Sequence, residues 1–113
     1  MPILVRNTAA APVEVQPEAV LRGYRIFAAE DGHHFAGLNE VTGRGRVSSA
    51  IASFDPDTMT GVTSSGRAYR LDGPPDDSGV AEILWRAWAA GCGLGDYADV
   101  TAEYSPAARP DLN

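Results

Sequence analysis

The sequence predicts an α+β domain: a small antiparallel β-meander or SH3-like open barrel of about four or five strands, covered by one C-terminal amphipathic helix. Three observations carry this. Asp31-Gly32 joins two runs rich in aromatic and β-branched residues, a second pair of such runs turns at Asp55–Gly61, and a tryptophan-bearing segment of helical period follows a Pro-Pro stop. With 113 residues there is room for one domain, and 44% hydrophobic against 21% charged residues is ordinary globular composition.

Residues 1–20 contain Pro12 and Pro17 in a stretch without clear period, and are expected to form an extended or mobile arm, with Val13 and Val15 able to pair onto a sheet edge. Residues 21–104 form the β-rich domain. Asp31-Gly32 suits a type I′ hairpin, in which Tyr24–Glu30 folds onto His33–Val41 and Ile26 faces Gly37. Tyr24, Ile26 and Ala28 then line one face, and Arg25 and Phe27 the other. Apolar groups on both faces suit a sheet that curls or is covered by a helix.

A second hairpin sets Val47–Phe54 against Val62–Leu71, with Phe54 opposite Gly61. Gly43, Gly45 and Gly66 are expected at bends or bulges. Pro74-Pro75 stops the sheet, and Asp76, Asp77 or Ser78 can cap a helix over residues 79–90. Its apolar stripe is Val80, Ile83, Leu84, Ala87 and Trp88, with Trp85 at the margin and Gly91 as the left-handed stop. Asp96–Tyr104 fits a short helix or a strand equally. Residues 105–113 read as a C-terminal tail.

All nine basic residues are arginine, a bias that points to a GC-rich bacterial or phage gene. The net charge of −6 is uneven. Residues 72–113 hold eight acids against Arg86 and Arg109, whereas residues 21–71 hold six arginines against five acids. An acidic C-terminal third therefore follows a mildly basic body. No run approaches the roughly 20 apolar residues of a membrane span, and Ile3-Leu4-Val5 is too short for a secretory core. With one cysteine, Cys92, a reducing cytoplasm is the expected compartment.

Extended along the second hairpin, the pairing of Phe54 with Gly61 gathers Arg44, Arg46, Arg67 and Arg70 at the end away from the Asp55–Gly61 turn. There they would form an anion-recognition patch among Ser48, Ser49, Ser64 and Ser65. The plainer account is a solvated face whose arginines pair with the chain's own acids. Trp85 is either a partner anchor or a large core residue with one wet edge. The acidic third is open to two accounts as well: a surface for a basic groove on another protein, or ordinary capping and solubility.

Known chemistries fail at named positions. His33 and His34 are adjacent on a strand and point to opposite faces, so solvated histidines beside a turn are expected and not a metal pair. Asp55-x-Asp57 opens like a calcium loop, but Thr60 and Gly66 stand where glycine and glutamate belong. Gly91-Cys-Gly-Leu-Gly95 follows a helix, whereas a dinucleotide loop opens one. No Gly-x-Ser-x-Gly is present. The sequence expectation is a non-enzymatic interaction module without a cofactor. Another protein is the favoured partner, engaged in one version by an inhibitor or anti-defence protein presenting acidic charge. A nucleic-acid regulator using the arginine hairpin is disfavoured by net charge, and a small enzyme or ligand carrier comes third.

Overall fold

The computed structural model describes residues 18–104, in which a curled open sheet is backed by one helix. The strands are β1 (Glu18–Ala29), β2 (Gly32–Asn39), β3 (Gly45–Val47), β4 (Ile51–Asp55), β5 (Thr60–Thr63) and β6 (Ala68–Asp72), then helix α1 (Val80–Gly91) and a short β7 (Ala98–Asp99). The seven strands exceed the four or five expected, and α1 lies mid-chain, followed by β7 and a 3-10 turn over Thr101–Tyr104. The ambiguous Asp96–Tyr104 segment thus divides into both. The expected strand pairing of Val13 and Val15, most of the arm and the 105–113 tail lie outside the described residues. Residues 18–20, assigned to the arm by sequence, belong to β1.

The order across the sheet is β3-β2-β1-β6-β5-β4, and β7 pairs with β1. All neighbours run antiparallel except β1 and β6, which are parallel, so the sheet is mixed and not a meander. The expected Val47–Phe54 strand is one run bent at Ser48–Ala50. Only its first residue, Val47, belongs to β3, which pairs with β2, and its second half belongs to β4, which pairs with β5. The two ends of the strand order are thereby consecutive in sequence. Ser48 binds the bend to β2: its N–H donates to the Phe35 carbonyl at 2.9 Å, and its hydroxyl accepts the Phe35 N–H at 2.9 Å. On the other side the Ala50 carbonyl accepts the Ser64 N–H at 2.7 Å.

The first hairpin forms two residues out of the expected register, with Ile26 opposite Phe35 and Ala28 opposite His33. A two-residue slip preserves side-chain parity, so the predicted faces survive. Its turn is Glu30-Asp31, and neither residue has positive φ, which rules out type I′. Gly32 takes φ 130 one place later, at the first position of β2. His34 braces this end. Its Nδ1 donates to the Ser48 carbonyl at 2.8 Å, and its Nε2 lies 2.8 Å from the Asp31 carboxylate. His34 is 1% exposed, which corrects the expectation of a solvated histidine.

A bulge between Arg22 and Arg25, with Gly23 at φ 54, was not visible as a sequence pattern. It changes which alternate residues of β1 face inward: Ala19 and Leu21 before it, Tyr24 and Ile26 after it. These pack with Phe35, Tyr69 and Leu71 inside the curled sheet. On the opposite face Phe27 and Ala36 meet Trp85 and Ala89 of the helix.

The helix is rotated from the expected stripe. Its buried residues are Ala81, Trp85 and Ala89, while Val80 and Ile83 are exposed. Two alanines bracketing an indole let the backbone approach closely, so Trp85 stacks on Phe27 with ring centroids 5.4 Å apart. Burying an indole of roughly 150–250 Å² stabilises by about 4–6 kcal/mol at ~25 cal/mol/Å². Trp85 Nε1 has no hydrogen-bond partner among the described residues, a cost of about 1–3 kcal/mol. The area term wins. Gly91 is the last helical residue, and the left-handed stop falls to Gly93 at φ 75.

Candidate functional site

The hairpin register expected to gather the four arginines holds only in part. The β4–β5 register does set Phe54 opposite Gly61, but that pairing ends at Ile51 and Thr63. The chain then turns, and β6 returns against the other edge of β5 with Arg70 opposite Thr60, beside the turn that the patch was meant to avoid. Arg44 is exposed in the loop before β3. The half-buried Arg46 donates from Nε to the Tyr69 hydroxyl at 3.1 Å, with its guanidinium 5.6 Å from the ring centroid. Arg67 is 5% exposed, and its carbonyl accepts the Thr63 N–H. Trp85 is 0% exposed, so the helix tryptophan with an accessible edge is the half-buried Trp88.

A different constellation lies where β1 changes neighbours. Its first half pairs with β6 as far as Asp72, and its last residues pair with β7 from Ala98 onward. In the gap the β1 backbone is satisfied from other sources. The Tyr24 carbonyl accepts the Asp76 N–H at 2.9 Å, the Ile26 N–H donates to the Thr101 hydroxyl at 2.8 Å, and the Ile26 carbonyl accepts the Val100 N–H at 2.8 Å. Arg25 spans the same gap. Its Nε donates to the Asp99 carboxylate at 2.9 Å and its Nη1 to the Asp76 carbonyl at 3.0 Å.

The result is a cleft of about 290 Å³ lined by Arg25, Asp76, Asp77, Gly79, Glu82 and Asp99. Its acids are held in place. Asp76 accepts from the Ser78 hydroxyl at 2.6 Å and from the Gly79 and Ala81 N–H groups, which caps α1. The Ser78 hydroxyl chiefly holds the Asp76 carboxyl below the ordinary carboxylate range, and with these amides it outweighs the opposing desolvation. At Asp99 partial burial pushes the carboxyl up, but the Thr101 hydroxyl and amide and the Arg25 guanidinium outweigh it and leave it lowered. Glu82 accepts from the Tyr97 hydroxyl at 2.7 Å and lies 3.5 Å from Arg86. Asp77 is exposed at the cleft.

Beside the cleft runs the outer face of α1. Val80 is 44% and Ile83 67% exposed, and Ala87 and Ala90 continue the line at spacings that keep them on one helix side. Sequence reasoning named the acids and Val80, Ile83 and Ala87, but it placed these three on the stripe facing the sheet, and it did not name Ala90. The signal for the correct rotation was the Ala81–Trp85–Ala89 spacing, which is weak because alanine carries little apolar weight. Chemically, the surface can take an apolar side chain on the helix and a cation in the cleft. No protein-family model, curated protein or solved structure matches this chain.

Proposed function

We propose that the chain is a non-catalytic interaction module that binds another protein through the outer face of α1 and the cleft at its N-terminal end. The carrying observation is the exposure of Ile83, 67%, on a helix whose opposite side is fully packed. A solvated isoleucine and valine beside a formed cleft suit contact with a partner better than they suit solvent. The all-arginine basic set supports a bacterial or phage source, and the single cysteine, Cys92, a reducing cytoplasmic setting. Within that setting, an inhibitor presenting acidic charge is one concrete form. The bent run joining the sheet's ends supports comparison with small SH3-like open barrels, from which the parallel β1–β6 pair departs. The net charge of −6 weighs against the nucleic-acid reading.

The test is affinity capture from source cells with three baits: wild type, Ile83→Asp, and Arg44→Ser/Arg70→Ser. A partner retained by the arginine variant and lost by Ile83→Asp supports the helix surface. Loss on the arginine variant alone overturns it and moves the interface to the sheet.

A further inference from the structure

We infer that the occupant of this surface is a basic amphipathic helix of the partner, with its apolar stripe on Val80 and Ile83 and a lysine or arginine side chain in the cleft. This rests on the protein-binding reading above and names the chemistry of the partner. Charge is the first argument. Four carboxylates line the cleft against the Arg25 guanidinium and that of Arg86, 3.5 Å from Glu82, which leaves an excess of negative charge, and Arg25 already directs Nε to Asp99 and Nη1 to the Asp76 carbonyl. The cleft therefore attracts cations, in a chain that is itself net −6.

Helix capping does not use all of that charge. Asp76 caps α1, and Asp99 accepts from the amide and hydroxyl of Thr101, which starts the 3-10 turn. Neither Asp77 nor Glu82 bonds the helix N-terminus, and Glu82 is turned instead to Tyr97 and Arg86. The second argument is adjacency. Gly79 and Glu82 line the cleft, and Val80 and Ile83 follow each of them directly in sequence. One partner helix crossing α1 reaches both, its aliphatic side chains on the stripe and a cationic head one turn away. The bare glycine at 79 leaves the cleft mouth open between them, and about 290 Å³ accommodates a guanidinium or ammonium with part of its stem. A second copy of this chain would bring an equal negative charge to the same face.

The experiment titrates the full chain with a model peptide of leucine and lysine at amphipathic-helix spacing, and with the same peptide carrying glutamate for lysine. Binding is read by fluorescence anisotropy at low and high salt. Ile83→Ser and Asp77→Asn/Glu82→Gln variants, each verified as folded by circular dichroism, are titrated in parallel. The expected result is salt-sensitive binding of the lysine peptide, weakened roughly tenfold or more by each variant, and none of the glutamate peptide. Lysine-peptide binding that neither variant weakens is nonspecific attraction to a net-negative chain and overturns the inference. So does equal binding of both peptides, or sedimentation showing that the chain covers this face by dimerising. If the lysine peptide fails while capture still depends on Ile83, the surface stands and the basic-helix partner is wrong.

Discussion

At the scale of single residues, the densest chemistry surrounds Thr101, Asp99 and Arg25. Thr101 is 4% exposed, and its hydroxyl accepts the buried Ile26 N–H while donating to Asp99 at 2.6 Å. Thr101→Val preserves shape but orphans that amide, so chemical denaturation should show a loss of about 1–3 kcal/mol, with Thr101→Ser losing less. Asp99 gives a pH signature. Its carboxyl is lowered from the ordinary 3.8, so its contribution is present above that value and is lost as pH falls through the folded-state value. The stability difference between wild type and Asp99→Asn should therefore shrink as denaturation is repeated at successively lower pH below about 4. A difference independent of pH would mean that the carboxylate charge contributes nothing. Gly61 tests packing: a methyl there would lie 2.5 Å from Cζ of Phe35, whose ring is 0% exposed and would have to shift within the packed core. Gly61→Ala should cost about 1–3 kcal/mol by the same measurement.

At the scale of elements, the helix shows what the sequence could and could not convey. Its span was legible, and the capping Asp76 was one of three candidates with Asp77 and Ser78, because Pro74-Pro75 and the Asp-Asp-Ser run are local signals that need no tertiary partner. Its rotation was not legible. Apolar weight favours Val80 and Ile83, whereas close approach to the sheet favours Ala81 and Ala89 around Trp85. Shape overrode hydrophobicity there. The first hairpin repeats the lesson: parity was readable from alternation, but the register moved by two residues because Glu30-Asp31, and not Asp31-Gly32, forms the turn. The register behind the arginine patch broke for a related reason. Val62–Leu71 is not one strand, since Ser64–Gly66 turn the chain and send Arg70 back along β5. A capping prediction belongs at this scale. Asp76→Ala should lower stability by about 1 kcal/mol and reduce helical ellipticity as α1 frays from its N-terminal end.

For the whole molecule, the covered face and the curled interior divide the burden of stability, and the outer helix side is left exposed. Phe27, Trp85, Tyr97 and Trp88 form one aromatic cluster beneath α1, with His34 5.3 Å from Trp85 between ring centroids. The second core, around Ile26, Phe35 and Tyr69, lies across the same two strands. The bent run through Ser48 has one more consequence. Because the outermost strands of the sheet are successive stretches of a single backbone, neither can fray without dragging on the other through three residues of chain. In hydrogen–deuterium exchange, the amides of Phe35, Ser48 and Ser64 should thus exchange together and only through concerted opening, instead of in the outside-in sequence of a sheet with two independent margins.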